Sequence, residues 1–278
     1  KVKKKPKKAI KRKSNTLGMQ LRNLEKSQSD DLYKDNKKMN DSEKIEKLKN
    51  SKALLRHDDH VYILPDGTEI TESVTEIIDS QFRYFDKEMI AKSLTRRVPK
   101  YQHLTWDELL EEWDDARNHG KLVHEEMDSY IKDNLEPYEE KAIAGRKWFD
   151  KNISNYGDRY FSEIVVHSKK CNLAGTIDLL VYNSTTRESF IFDWKTSKII
   201  EYKGKRRGIT DYTKEIMDCR YNKYSLQLCF YKYLLFCEFG ISVQGEYIVH
   251  LKDYSVDIHE AADFYSIAEK ISNGRREL

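Results

Sequence analysis

Hydrophobic and polar positions divide the chain into a patternless beginning, a stretch of helical period and a stretch of period two. Residues 1–52 hold almost no aromatic side chains and are dominated by Lys, Asn, Asp and Ser, too little apolar surface to fold alone. Within this stretch Ile45, Leu48, Leu54 and Leu55 recur at a spacing that suggests a weak helix over 41–55. Order begins at Val61, where two short apolar runs flank Pro65-Asp66-Gly67. Pro sets φ there and Gly accepts φ > 0, so 61–70 reads as a small hairpin. Ser73 with Glu76, and Thr105 with Glu108, form capping-box patterns. The first precedes Ile77, Ile78, Phe82 and Phe85, the second Trp106, Leu109, Leu110 and Trp113, and both open amphipathic helices. Gly120 is expected to interrupt the second, with a further helix burying Leu122, Val123, Met127, Tyr130 and Ile131. Another is expected from Pro137 through Trp148.

Beyond Asp158 the period changes to two. The runs 161–167, 173–182 and 189–196 read as three strands joined by short polar turns, an antiparallel meander. A long helix over 212–239, a strand over 245–252 and a terminal helix over 258–272 complete the pattern. The expected fold class is α/β, a mixed central sheet carrying the three-strand meander, with helices on both faces. The expected organisation is a basic, largely disordered tail, 1–55, and a folded domain, 56–278, with a helical part at 72–155 and a core at 158–275.

Strand parity brings in the chemistry. In 189–196, Ile191, Asp193 and Lys195 point to one side and Phe190, Phe192 and Trp194 to the other, so two charges share a face of an otherwise apolar strand. A turn centred near Thr185 sets Asp178 across from Phe192 or Asp193. Neighbouring buried carboxylates cost several kcal/mol unless neutralised, which a divalent cation would do. Two Asp, with Glu163 on the adjacent strand as a third carboxylate, suit Mg²⁺ or Mn²⁺ better than Zn²⁺. Lys195 fits phosphodiester hydrolysis, where an ammonium orients water and offsets charge on phosphorus. The plain alternative is an internal salt bridge from Lys195 to Asp178 or Asp193.

Charge sharpens the partner. The 278 residues carry a formal net charge of +3, yet residues 1–14 hold nine basic groups and no acid, leaving the remainder with 41 basic against 47 acidic groups. A basic end on a mildly acidic body suits a polyanion or a sorting receptor. Lys198, Lys203, Lys205, Arg206 and Arg207 follow Lys195 closely, where a phosphate backbone would pass a metal centre. No run is long and apolar enough to span a membrane, and four Cys, none before Cys171, suit reduced thiols in an intracellular compartment.

Gly175-Thr176-Ile177-Asp178 and Asp193-Trp194-Lys195-Thr196 resemble the G-x-x-D and D-x-K elements of the PD-(D/E)XK nuclease superfamily. Gly120-Lys121-Leu122-Val123-His124 resembles the G-x-x-x-H helix of its RecB-type branch, and Gln227-Leu228-Cys229-Phe230-Tyr231 its Q-x-x-x-Y helix. The chain is similar to exonucleases of phages and large DNA viruses and to the mitochondrial genome maintenance exonuclease. The resemblance covers about residues 60–270. It implies a restriction-endonuclease-like core and metal-dependent DNA exonuclease activity in replication, recombination or repair. The alternatives are a structure-specific or restriction-like endonuclease and a non-catalytic DNA-binding protein. It further implies that His124, Asp178 and Asp193 bind Mg²⁺ or Mn²⁺ with the Trp194 carbonyl, and Glu163 as a further ligand. Lys195 would be the catalytic lysine, positioned with the metal or DNA by Gln227 and Tyr231. The spacing of the four Cys departs from that of the iron–sulfur members, so no iron–sulfur cluster is expected.

Overall fold

The computed structural model describes residues 39–56 and 61–275; the basic run 1–14 lies outside the described residues. The first element, α1 (Asp41–Lys49), is closed by a reciprocal box between Asn40 and Glu43. Its Ile45 and Leu48 are buried in the main core, so part of the stretch assigned to the tail packs with the domain. A small antiparallel sheet follows, made of β1 (Leu54–Arg56), β2 (Val61–Ile63) and β3 (Glu69–Ile70). β2 and β3 are the expected hairpin, and β1 adds a strand that replaces the end of the expected helix over 41–55.

Both capping boxes form, Ser73–Glu76 at α2 (Val74–Ser80) and Thr105–Glu108 at the later α4 (Trp106–Asp133). Between them lies α3 (Lys87–Arg97), which the periodicity did not reveal; the Asp86 carboxylate accepts the Met89 N–H at 2.9 Å and restarts the helix. α4 is one unbroken helix of 28 residues, so Gly120 does not interrupt it. A single interior Gly costs about 1 kcal/mol relative to Ala, which the buried face on either side outweighs. Val123 and Met127 are buried on that face, whereas Leu122, expected there too, is 41% exposed. The next helix, α5 (Glu140–Asn152), starts after Pro137. The Glu126 carboxylate accepts the N–H groups of Tyr138 and Glu139, each at 2.9 Å, and holds that segment outside the helix.

The main sheet contains β4 (Arg159–Ser168), β5 (Leu173–Tyr182), β6 (Ser189–Lys195), β7 (Val243–Leu251) and β8 (Val256–Glu260), in that order. The first three form the expected antiparallel meander. β6 and β7 are parallel, joined through the crossover helix α6 (Arg220–Leu234), and β8 returns antiparallel on the edge. α6 begins later than residue 212, because Thr213 donates to the Gln81 carbonyl and Arg207 bridges to Met217, keeping 207–219 in turns. β8 replaces the beginning of the expected terminal helix; only Tyr265–Gly274, α7, is helical. Residues 256–260 satisfy the edge of β7 with a register running from Leu251↔Val256 to Tyr247↔Glu260.

Alternation decides which helix covers which face. Ile191 and Ile248 join a core with residues of α1, α2, α6 and α7. Phe192, Trp194, Val249 and Leu251 join Val123 and Met127 of α4 and Ala142 and Phe149 of α5. Helices thus cover both faces of a mixed sheet, and the parity expected for β6 holds. No described helix is long and apolar enough to cross a membrane.

Candidate metal and phosphoryl-transfer site

The candidate site forms where the ladder between β5 and β6 opens. These strands pair from Tyr182↔Ser189 to Leu179↔Phe192, a register that carries Asp178 towards Asp193 at the next position. The Asp178 Oδ2 accepts the Trp194 N–H at 2.7 Å, so a carboxylate closes the ladder where a carbonyl would otherwise do so. On the other side of β5, Ser162↔Leu179 and Ile164↔Ile177 leave Glu163 across from Asp178. The Glu163 φ is 48°, in the left-handed region, which costs a non-glycine residue on the order of 1 kcal/mol or more. The register alone could not have revealed this local inversion.

α4 brings His124 to the two carboxylates. Its Nδ1 lies 3.5 Å from Asp178 Oδ1 and 3.9 Å from Glu163 Oε1. Ligating atoms of His124, Glu163 and Asp178 all fall within 4.8 Å of one another. Two glycines permit close packing around the site, Gly120 between α4 and the end of β6 and Gly175 between β5 and α6. A Cβ on Gly120, one turn before His124, would meet Thr196 Oγ1 at 2.9 Å, and one on Gly175 would meet Tyr231 Cε1 at 2.5 Å.

Lys195 sits beside this group with a side chain only 16% exposed. Its Nζ is 2.6 Å from Asp193 Oδ2, donates to Gln227 Oε1 at 3.2 Å, and lies 4.7 Å from the Tyr224 ring centroid. Gln227 in turn donates to the Tyr231 hydroxyl at 2.8 Å, one helical turn along α6. Of the two salt bridges open to Lys195, the one with Asp193 therefore forms. The buried Oδ2 of Asp193 has this ammonium beside it and takes no hydrogen bond from any other group. Tyr224 was not anticipated; its one-turn spacing before Gln227 is the only signal of it.

The proton balance follows from burial and charge. Burial opposes a charged His124, but the Asp178 charge and contacts with Asp178 and Glu163 overcome it and push the imidazole up to about 10. Burial raises Glu163, as does the charge of Asp178, against the pull of His124. Burial also pushes Asp193 up to about 6, against the pull of Lys195. Asp178 resists burial through His124, Lys195 and the Trp194 N–H, and is lowered. For Lys195, burial is outweighed by Asp193 and Asp178, which push it up to about 12.

The residues fit a divalent cation. His124 supplies a nitrogen and Glu163 and Asp178 carboxylate oxygens, a hard, mostly oxygen set, and the imidazolium proton supplies the positive charge that a cation would bring. Asp193 stands with Lys195 and outside the converging three. The Trp194 ring packs on the opposite face, its centroid 6.0 Å from that of Trp148, so only its backbone belongs to the site.

The segment after Lys195 is held by its carbonyls. Thr196 O accepts from Lys141 Nζ at 3.0 Å, and Ile199 O from Arg220 Nη1 at 3.1 Å. Lys198, Lys203, Lys205, Arg206 and Arg207 are exposed beyond it. Arg207 is engaged by Glu215 at 3.2 Å, so it is not a freely available cation.

No family model matches the chain, and no curated protein matches it. Among solved structures, one described as the crystal structure of SSO0001 aligns over 73% of this chain and 73% of its own, with 13% identity and a TM-score of 0.33.

Proposed function

We propose that this protein is a metal-dependent deoxyribonuclease of the PD-(D/E)XK superfamily, built on a restriction-endonuclease-like core and acting as an exonuclease on DNA ends or single strands. The observation that carries the reading is the partly buried Lys195, held by Asp193 and Gln227 beside the donor group of His124, Glu163 and Asp178. A structural ion pair explains Lys195 and Asp193 alone. It leaves unexplained three more ionisable groups, His124, Glu163 and Asp178, one of them on a left-handed backbone, gathered at the same strand opening.

His124, Glu163 and Asp178 would hold Mg²⁺ or Mn²⁺, with Asp193 alongside. When bound, the cation would supply positive charge against the phosphate oxygens in a partly buried site. Lys195 stays protonated at neutral pH, so it acts as a donor: one N–H steers the oxygen of the attacking water or meets the oxygen on which charge develops. Gln227 and Asp193 fix the direction of that ammonium, and Tyr231 fixes Gln227. Lys198, Lys203, Lys205 and Arg206 offer exposed charges to the phosphate backbone.

The test is Mg²⁺- or Mn²⁺-dependent degradation of end-labelled DNA. Lys195→Ala and Asp193→Ala are each expected to slow cleavage by about 100-fold or more, and full activity in both would sink the assignment. A covalently closed circular substrate should survive an exonuclease, and its cleavage would favour the endonuclease reading.

A further inference from the structure

A second cluster of ligating side chains lies on the face of the sheet that carries Asp193 and Lys195, nearer the β8 edge. β6 and β7 run parallel with Lys195↔His250 in register, and β7 and β8 antiparallel with His250↔Asp257 and Ile248↔His259. His250, Asp257 and His259 therefore share one face, with ligating atoms within 4.8 Å of one another. None of the three belongs to the group around His124.

The hydrogen bonds around them leave one ring nitrogen of each imidazole for a ligand. The Ser197 carbonyl can only accept, so His250, itself 4% exposed, donates from Nε2 at 2.5 Å and keeps its lone pair on Nδ1. His259 Nδ1 meets the Tyr202 hydroxyl, whereas its Nε2 is buried without a partner. A buried, unpaired ring nitrogen costs roughly 1–3 kcal/mol in either protonation state, and a bound cation removes that cost. Asp257 has one oxygen on Lys252 and the other for a metal. Each ring thus has its second nitrogen oriented by a carbonyl or a hydroxyl, the arrangement that sets the tautomer of ligating histidines.

We propose that His250, Asp257 and His259 form a second metal site, selective for a zinc-like transition ion, that clasps the basic segment after Lys195 to the edge of the sheet. Two imidazoles and one carboxylate favour Zn²⁺ over Mg²⁺, which prefers oxygen. The coupling to the segment is direct. His250 holds Ser197, and His259 holds Tyr202, whose ring stacks on Tyr221 of α6 with centroids 4.4 Å apart. Lys198 lies between those two anchors, and Lys203, Lys205 and Arg206 follow directly. The site needs no nuclease activity to be true.

The experiment uses the full chain, stripped with a chelator, dialysed and titrated with Zn²⁺, with metal content read by mass spectrometry. Asp178→Asn removes a donor from the first site and leaves the second intact. Wild type and Asp178→Asn are expected to retain a tightly held equivalent of Zn²⁺, and His259→Gln to bind at least tenfold more weakly. Asp257→Asn keeps side-chain size and should also weaken Zn²⁺ about tenfold if His259→Gln folds poorly. In parallel, Zn²⁺ should slow tryptic cleavage at Lys198 to Arg207 in wild type and Asp178→Asn but not in His259→Gln. Zn²⁺ retention unchanged in both His259→Gln and Asp257→Asn, or lost only in Asp178→Asn, would overturn the proposal.

Discussion

Single residues carry the electrostatics of the site, and His124 shows what they imply for stability. Its folded-state pKa, about 10, lies above the ordinary 6.5, so its pairing with Asp178 contributes in full below pH 6.5 and is lost as pH rises through about 10. Asp193, raised from 3.8 to about 6, contributes through its neutral form, which is already gone above pH 6, so it does not vary over that window. In chelator, the urea midpoint should therefore fall between pH 7 and pH 10, and His124→Asn should flatten the fall. Because a ligating imidazole must lose its proton, Mn²⁺ binding should release protons and tighten as pH rises, as calorimetry in two buffers would show. Glu163 makes the complementary point. Its left-handed backbone and crowded carboxylate oppose stability while serving the donor group. Glu163→Gly should leave the metal-free protein as stable or up to about 1 kcal/mol more stable, and weaken Mn²⁺ binding about tenfold or more. A large loss of stability in urea melts would contradict this.

At the scale of elements, the glycine in α4 decides how close the β6 segment comes. An exposed helical Gly→Ala change usually stabilises by about 1 kcal/mol. Here the new Cβ would press on Thr196 Oγ1, just beyond Lys195. Gly120→Ala should therefore gain nothing in stability and slow DNA cleavage, whereas on a Thr196→Ala background the same change should stabilise by about 1 kcal/mol. A double-mutant cycle that came out additive would show that the contact carries no strain. The capping boxes of α2 and α4 were legible because each involves residues three apart. The continuity of α4 through Gly120, and the strand at 256–260, were not, since the first depends on a face buried against the sheet and the second on an edge of β7 left to be paired.

For the whole molecule, the charge division and the core assign different roles to neighbouring parts of the N-terminal stretch. Residues 1–14 hold nine basic groups and no acid, while Ile45 and Leu48 are buried in the main core. Deleting 1–38 should weaken DNA binding at low salt and leave metal-dependent cleavage intact, with the difference shrinking as salt rises. Deleting 1–50 also removes the two buried side chains, each worth about 1.5–3 kcal/mol, so this variant should be several kcal/mol less stable. Salt-dependent binding and urea melts of the two truncations separate these effects. Equal stability of the two would mean that α1 is not part of the cooperative unit.

By itself the sequence determined what depends on near neighbours: the three-strand meander, the alternation that puts Asp193 and Lys195 on one face, two capped helices and the Gln227–Tyr231 spacing. Period and capping act over four residues or fewer, so they are written locally. Tertiary structure alone decided the rest. The opening of the ladder at Asp178, the left-handed turn of Glu163 and the arrival of His124 bring together four chain segments. The grouping of His250, Asp257 and His259 depended on β8 pairing at an edge that no local pattern specifies. Which charges become neighbours, and hence which protons a cation would displace, is settled by strand register and helix docking over separations that periodicity does not reach.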